Sequence, residues 1–236
     1  MKIEVLFPEF ANLFGDCWNW RYLARCLPEA EMIETGYGDE PHFVSEKVDM
    51  IIMGAMTEHQ QELVIEKLMP YRDCLRRLID SGVVFLMTAN AGEVFCEYIE
   101  NEDGSRIAGL GLVPLHAKRD MMHRYNSTQL CTFEDMELVG FKAEFSQLYG
   151  DNSDIYFAEA KYGVGINKKS KLEGVRIKNY FSTSMVGPFI MMNPPFVKYL
   201  MQLLGVKEPG LLFEETNMAA YERRRADIVR MMGENS

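Results

Sequence analysis

The 236-residue sequence predicts an α/β fold: a doubly wound, mostly parallel sheet with helices on both faces, followed by an antiparallel extension in the second half. Three observations carry this. Residues 48–54, VDMIIMG, are almost continuously apolar, as parallel strands covered on both faces are. Strand and helix patterns alternate up to Gly82, which argues for crossover units. Residues 82–95, GVVFLMTANAGEVF, read as a buried strand, a tight turn of small residues and a helix beginning near Glu93. Such a turn lifts one side chain out at the carboxyl edge of a sheet, where open α/β folds bind ligands and a nucleophile elbow places its nucleophile. The apex here is Ala89, which has no functional group.

Taken in order, residues 2–7 (KIEVLF) form the first strand, and Asn12 or Asp16 starts a helix over 18–26 that carries Trp18, Tyr22 and Cys26 on one face. AEMIETG supplies the second strand and VDMIIMG the third. Val64, Leu68, Leu75 and Leu78 recur at helical spacing, with Pro70 expected to kink or split that helix and Gly82 to end it. Beyond a glycine-punctuated connection over 104–114, four β-rich segments between 118 and 188 predict antiparallel strands. NPPFVKYLMQLLG predicts a capped helix. The expected organisation is one domain over 1–210 with a charged amphipathic helix or tail over 211–236.

A formal net charge of −10 argues against a nucleic-acid surface, and Lys168, Lys169 and Lys171 read as a solvated loop. No apolar run approaches the ~18 residues of a membrane span. The start MKIEVLF enters a strand pattern directly, so a cytoplasmic protein is expected. Cys17, Cys26, Cys74, Cys96 and Cys131 are scattered without zinc spacing, so neither a metal nor a cofactor is expected.

Several stretches in one collinear order resemble the class I glutamine amidotransferase-like family, in the branch of cobyric acid synthase and the lipid II isoglutaminyl synthase glutaminase subunit. NLFGDCWNWRYLARC resembles its NLYGDxGNxxxLxxR, VDMIIMGAMTEHQQ its DIxFIGGGxDxxQ, and GVVFLMTANAGEVF the start of its elbow segment. LVGFKAEFSQLYGD stands where the family has VGFENHxGRTYxD, and NYFSTSMVGP where it has NLxGTYLHGP. The resemblance implies glutamine hydrolysis by an elbow cysteine and a later histidine, with backbone N–H groups stabilising the oxyanion. The family's cysteine falls on Ala89 and its histidine on Val186. Its glycine loop has become Gly54, Ala55 and Met56, and Asn90 follows the apex.

The resemblance therefore implies a catalytically degenerate relative, a binding, regulatory or scaffold subunit with an amino-acid-like ligand and a Mur-ligase-like or other ATP-dependent amide-forming partner. Gly54, Ala55, Asn90, Glu93, Glu144 and His59 are the candidate cleft residues. Two alternatives stay open. Glu93 and Glu144 could do acid–base work in a repurposed cleft, or a displaced nucleophile, Cys96 or Thr88, could act. A scaffold reading instead fills the cleft with Met56, Met185 and Val186. Asp16 with Asn12 reads as a helix-start device rather than a catalytic acid.

Overall fold

A computed structural model of the chain describes residues 1–234; the last two residues of the expected 211–236 tail lie outside the described residues. The first half follows the expected alternation: β1 (Lys2–Leu6), α1 (Cys17–Cys26), β2 (Glu31–Thr35), β3 (Met50–Met53), α2 (Glu58–Leu68), α3 (Arg72–Ser81) and β4 (Val84–Thr88). A capping box starts α2: the Gln60 N–H reaches Thr57 Oγ1 at 3.3 Å, and the Thr57 N–H reaches Gln60 Oε1 at 3.1 Å. Pro70 lies in a 3-10 turn, Met69–Tyr71, that separates α2 from α3. Gly82 ends α3 in the left-handed region at φ +86°, where a side chain would be strained.

The second half contains β5 (Tyr98–Glu100), β6 (Arg106–Ala108), β7 (His116–Arg119), β8 (Tyr125–Phe133), β9 (Met136–Glu144), β10 (Ser146–Tyr149), β11 (Ala158–Tyr162), β12 (Leu172–Glu173), β13 (Val175–Ile177), β14 (Tyr180–Thr183), α4 (Pro194–Leu203) and α5 (Glu214–Glu234). The central sheet runs β13-β14-β4-β3-β1-β2, and only the β13–β14 pair is antiparallel. Thus β14, expected among the antiparallel strands, instead lies parallel to β4, with Thr183 opposite Thr88. Two four-stranded sheets, β10-β7-β5-β6 and β12-β11-β8-β9, form the extension.

Strand alternation divides the core. Ile51, Met53, Phe85 and Met87 pack on one face with Val64, Leu68 and Leu75 of α2 and α3. Ile52, Val84 and Leu86 pack on the other with Leu23 of α1 and Phe196 and Leu200 of α4. Helix α5 docks on the extension through Tyr221 and Ile228, which are buried with Leu130 and Val139. Among the described residues no helix is long and apolar enough to cross a membrane.

Two local expectations are corrected. No α-helix follows the elbow: residues Ala89–Phe95 form a 3-10 segment and the chain then enters β5. Asn193 does not cap α4 with its side chain, which instead brackets Val139 of β9, accepting its N–H at 2.7 Å and donating to its carbonyl at 2.9 Å.

Candidate functional site

The carboxyl ends of β3, β4 and β14 lie side by side, because Met53 pairs with Met87 and Thr88 with Thr183. The residues that follow these strands therefore meet at one edge of the sheet. They border a cleft of about 520 Å³, measured out to its open mouth. Ala89 and Asn90 come from the end of β4, Ser184 and Val186 from the end of β14, Met56 from the end of β3, and Glu144 and Ser146 from the junction of β9 and β10.

Ala89 holds φ +53°, a left-handed conformation that costs a residue with a Cβ roughly 1–2 kcal/mol. The strained apex of an elbow is therefore present, with a methyl group at its tip. The turn beneath it is tight. A Cβ on Gly92 would lie 2.0 Å from Ser182 Oγ of β14, so only glycine fits there without a shift.

Asn90 closes the loop after β3. Its Oδ1 accepts the Met56 N–H at 3.0 Å and its Nδ2 donates to the Met56 carbonyl at 2.8 Å. The Met56 N–H is thus already engaged by a side chain. Gly54 and Ala55 begin this loop but are buried and do not line the cleft, and a Cβ on Gly54 would lie 2.5 Å from the Asp16 Cβ.

The two candidate carboxylates line the same cleft. Glu93 is buried, accepts from Gln61 Nε2 at 2.9 Å and also accepts the Ser146 hydroxyl. Burial pushes its carboxyl above the ordinary range, against the pull of those two donors. Glu144 is pushed up to about 7, first by desolvation, with the Lys142 ammonium opposing and Glu173 adding to the rise. Gln61 ties this wall together, donating also to the Asn90 carbonyl at 2.8 Å and accepting from Arg119 at 2.8 Å.

Other candidates lie elsewhere. His59 is exposed on α2 and does not line the cleft. Cys96 does not lie in a helix. It follows the 3-10 segment, fully buried, with its thiol directed at the Gly92 carbonyl at 3.7 Å and pushed well above the ordinary thiol value by burial. Thr88 points away from the apex, as strand alternation requires, and donates to Asp16 Oδ1 at 3.0 Å. Asp16 stands at the N-cap position of α1, but its side chain does not cap: its buried carboxylate holds Thr88 and the Phe14 N–H (3.1 Å), while Asn12 accepts the Cys17 N–H of α1 at 2.9 Å. Burial raises the Asp16 carboxyl despite these donors. Met56 and Val186 do line the cleft, whereas Met185 is buried against Gly140 of β9.

Leu13, Phe14, Glu58 and Arg124 also line the cleft, and sequence reasoning did not single them out. Glu58 and Gln61 fall inside GAMTEHQQ, directly after the loop that follows β3, and that adjacency is the signal the sequence carries for them. Among the described residues no cysteine or histidine lines the cleft, and no group of three or more His, Cys, Asp or Glu side chains is arranged to hold a metal ion.

No family model matches the chain. Its fold is that of glutamine amidotransferases: a crystal structure of a glutamine amidotransferase superposes with a TM-score of 0.57 at 15% identity, covering 86% of this chain and 99% of that one. The glutaminase domain of Trypanosoma brucei CTPS, solved with bound acivicin, gives a TM-score of 0.52 at 9% identity over 91% of this chain and 98% of that one. By sequence the chain is similar to a glutamine-hydrolysing lipid II isoglutaminyl synthase subunit, GatD. The Streptococcus pneumoniae protein is 22% identical over 231 residues, covering 94% of this chain and 86% of its own length. The Staphylococcus aureus protein is 21% identical over 169 residues, covering 72% and 68%. Sequence and fold together relate the chain to the class I glutamine amidotransferase-like proteins.

Proposed function

We propose that this chain is a catalytically degenerate glutamine amidotransferase-like protein that holds an amino-acid-sized ligand in its cleft and serves as a binding or regulatory subunit. The observation that carries this is the apex. Ala89 keeps the strained φ of +53° but presents a methyl group, and no cysteine or histidine among the described residues stands beside it in the cleft. A thioester route needs a thiolate and an imidazole to move its proton. Val186 fills the position the resemblance gives to the histidine, and Asn90 occupies the Met56 N–H. Similarity to subunits named for lipid II isoglutaminyl synthase supports a partner of the Mur-ligase-like or other ATP-dependent amide-forming kind.

Calorimetric titration with glutamine and glutamate, with ammonia release followed in parallel, tests this reading. Binding without ammonia is the expected result. Glutaminase turnover that Cys96→Ser abolishes would overturn it in favour of a displaced nucleophile. Neither binding nor release would remove the ligand role and leave the surface as the working part.

One observation favours a second reading, a repurposed acid–base cleft. Glu93 and Glu144 line the same cavity, and burial raises both carboxyls. Hydrolysis of small amides or esters should then fall in both Glu93→Gln and Glu144→Gln. Turnover unchanged in both variants sinks that reading.

A further inference from the structure

Glu144, Phe145 and Ser146 form a wall shared by two depressions. On its far side lies a groove of about 830 Å³, measured out to its mouth. Its charge is opposite to that of the chain as a whole, whose formal net charge is −10. Basic side chains reach the groove from three stretches: Lys118 on β7, His123 in the turn before β8, and Lys168 with Lys169 in the loop between β11 and β12.

Two of these four side chains are already committed. Lys118 pairs with Glu100 at 2.8 Å, and His123 Nδ1 lies 2.8 Å from Asp120. Lys168 and Lys169 are different: both are exposed, and among the described residues neither forms an ion pair. Lys168 lies 5.0 Å from the ring centre of Tyr125, which also lines the groove. The Lys169 N–H is held by Asn167 Oδ1 at 3.0 Å, and Asn167 in turn donates to the Leu148 carbonyl at 2.8 Å. The two ammonium groups therefore stand on a braced turn rather than a free loop.

The wall adds an independent sign. Arg119 lines the groove with only 6% of its side chain exposed, and its buried Nε has no protein partner. Its two terminal nitrogens are already committed to Glu62, Asn101, Gln61 and the Glu58 carbonyl, so Nε is the one donor of this guanidinium left without a partner. Lysine ammonium groups are point-charge partners of phosphate. Two carboxylates, Asp120 and Glu144, also line the groove, against Lys118, Arg119, Lys168 and Lys169; the acidic surface farther away opposes an anion only weakly, because charges beyond a Debye length of about 8 Å at physiological salt are largely screened.

We propose that this groove binds a phosphate-bearing small molecule, with Lys168 and Lys169 as its principal charge contacts and the Arg119 side of the wall as its floor. The proposal goes beyond the cleft reading and does not depend on it, since the probe carries no amino-acid group.

Calorimetric titration of the full chain with inorganic pyrophosphate is the test, run at low and physiological salt. One site is expected, weaker at higher salt. Lys168→Glu/Lys169→Glu should lower affinity at least tenfold. The control Arg223→Glu/Arg224→Glu, the same charge change on the exposed face of α5, should leave it unchanged. Thermal melts of both variants establish that they fold. Absence of binding overturns the proposal, as does a wild-type affinity in the loop variant. An equal loss in the α5 control reduces the effect to net charge and also overturns it. Citrate binding as tightly with the same lysine dependence would overturn the commitment to phosphate.

Discussion

Asn90 brackets the backbone of Met56, accepting its N–H and donating to its carbonyl with the two ends of one side-chain amide. This pair ties the loop after β3 to the turn after β4, the two segments between which a reacting carbonyl would have to sit. Asn90→Ala removes both hydrogen bonds at a partly buried site. It should destabilise the chain by about 1–2 kcal/mol, because net hydrogen bonds contribute roughly 0.5–1.5 kcal/mol each and cleft water replaces part of the loss. Urea unfolding of the two proteins checks this. An unchanged midpoint would mean that the bracket does not hold the loop.

Ala89 gives a sharper test of stored strain. Glycine adopts φ +53° without the Cβ clash, so Ala89→Gly should stabilise the fold by up to about 1 kcal/mol. The gain stays small because the unfolded glycine chain also gains freedom. Ala89→Cys keeps the backbone and places a thiol in the cleft. That thiol should react readily with an alkylating reagent, while buried Cys96 stays inert in wild type. Without a base at Val186 the same variant should release no ammonia from glutamine. Turnover by Ala89→Cys alone would show that the cleft retains more of the chemistry than its lining suggests.

The parallel core was legible because VDMIIMG and VVFLMT are apolar on both faces, and the structure buries both faces of β3 and β4. Pro70 and Gly82 were legible because each acts through its own backbone. What failed depended on partners far along the chain. ANAGEVF has a helical beginning, but Tyr98, Ile99 and Glu100 pair with both β6 and β7, and that pairing pulls the chain out after one 3-10 segment. The direction of β14 is not written in its alternation; it follows from the route that brings Tyr180–Thr183 beside β4. Asp16 looks like a helix cap locally, yet its partner Thr88 lies 72 residues away. At the site, Glu93 and Glu144 could be named, but only the fold brings them to one cleft and leaves His59 outside it.

The raised carboxyls make a pH prediction with a definite direction. Glu144, at about 7 in the folded chain against an ordinary 4.5, keeps a proton that the unfolded chain has released. Its contribution favours the fold at low pH and is lost as pH rises from about 4.5 through about 7. Buried Glu93 and Asp16 are shifted in the same sense. Glu144→Gln removes one such group. The variant should gain on wild type as pH rises from 5 to 8, by an amount on the order of 3 kcal/mol if the whole shift is expressed. Denaturant midpoints of both proteins across that range would show it. Parallel pH profiles would mean that the Glu144 carboxyl is solvated in the folded protein.

The cleft wall also rests on a buried charge pair. Lys142 of β9 and Glu173 of β12 are both fully buried; the ammonium donates to Glu173 Oε2 and, at 2.6 Å, to the Gly165 carbonyl. Burial works against the Lys142 charge, but the nearby acidic groups, Glu173 first and then Glu144, together outweigh it and hold its pKa above the ordinary value. The other carboxylate oxygen accepts from Thr183 Oγ1 at 2.9 Å and from the Ser184 N–H at 3.0 Å, so the pair fixes the end of β14 just before Val186. Lys142→Met leaves a buried carboxylate without its cation and should cost about 3–5 kcal/mol. Adding Glu173→Gln removes that orphan charge while an amide oxygen can still accept from Thr183 and Ser184. The double variant should therefore recover a large part of the loss. If the two single losses simply add in a double-mutant cycle, the pair is uncoupled and the end of β14 is held by packing alone.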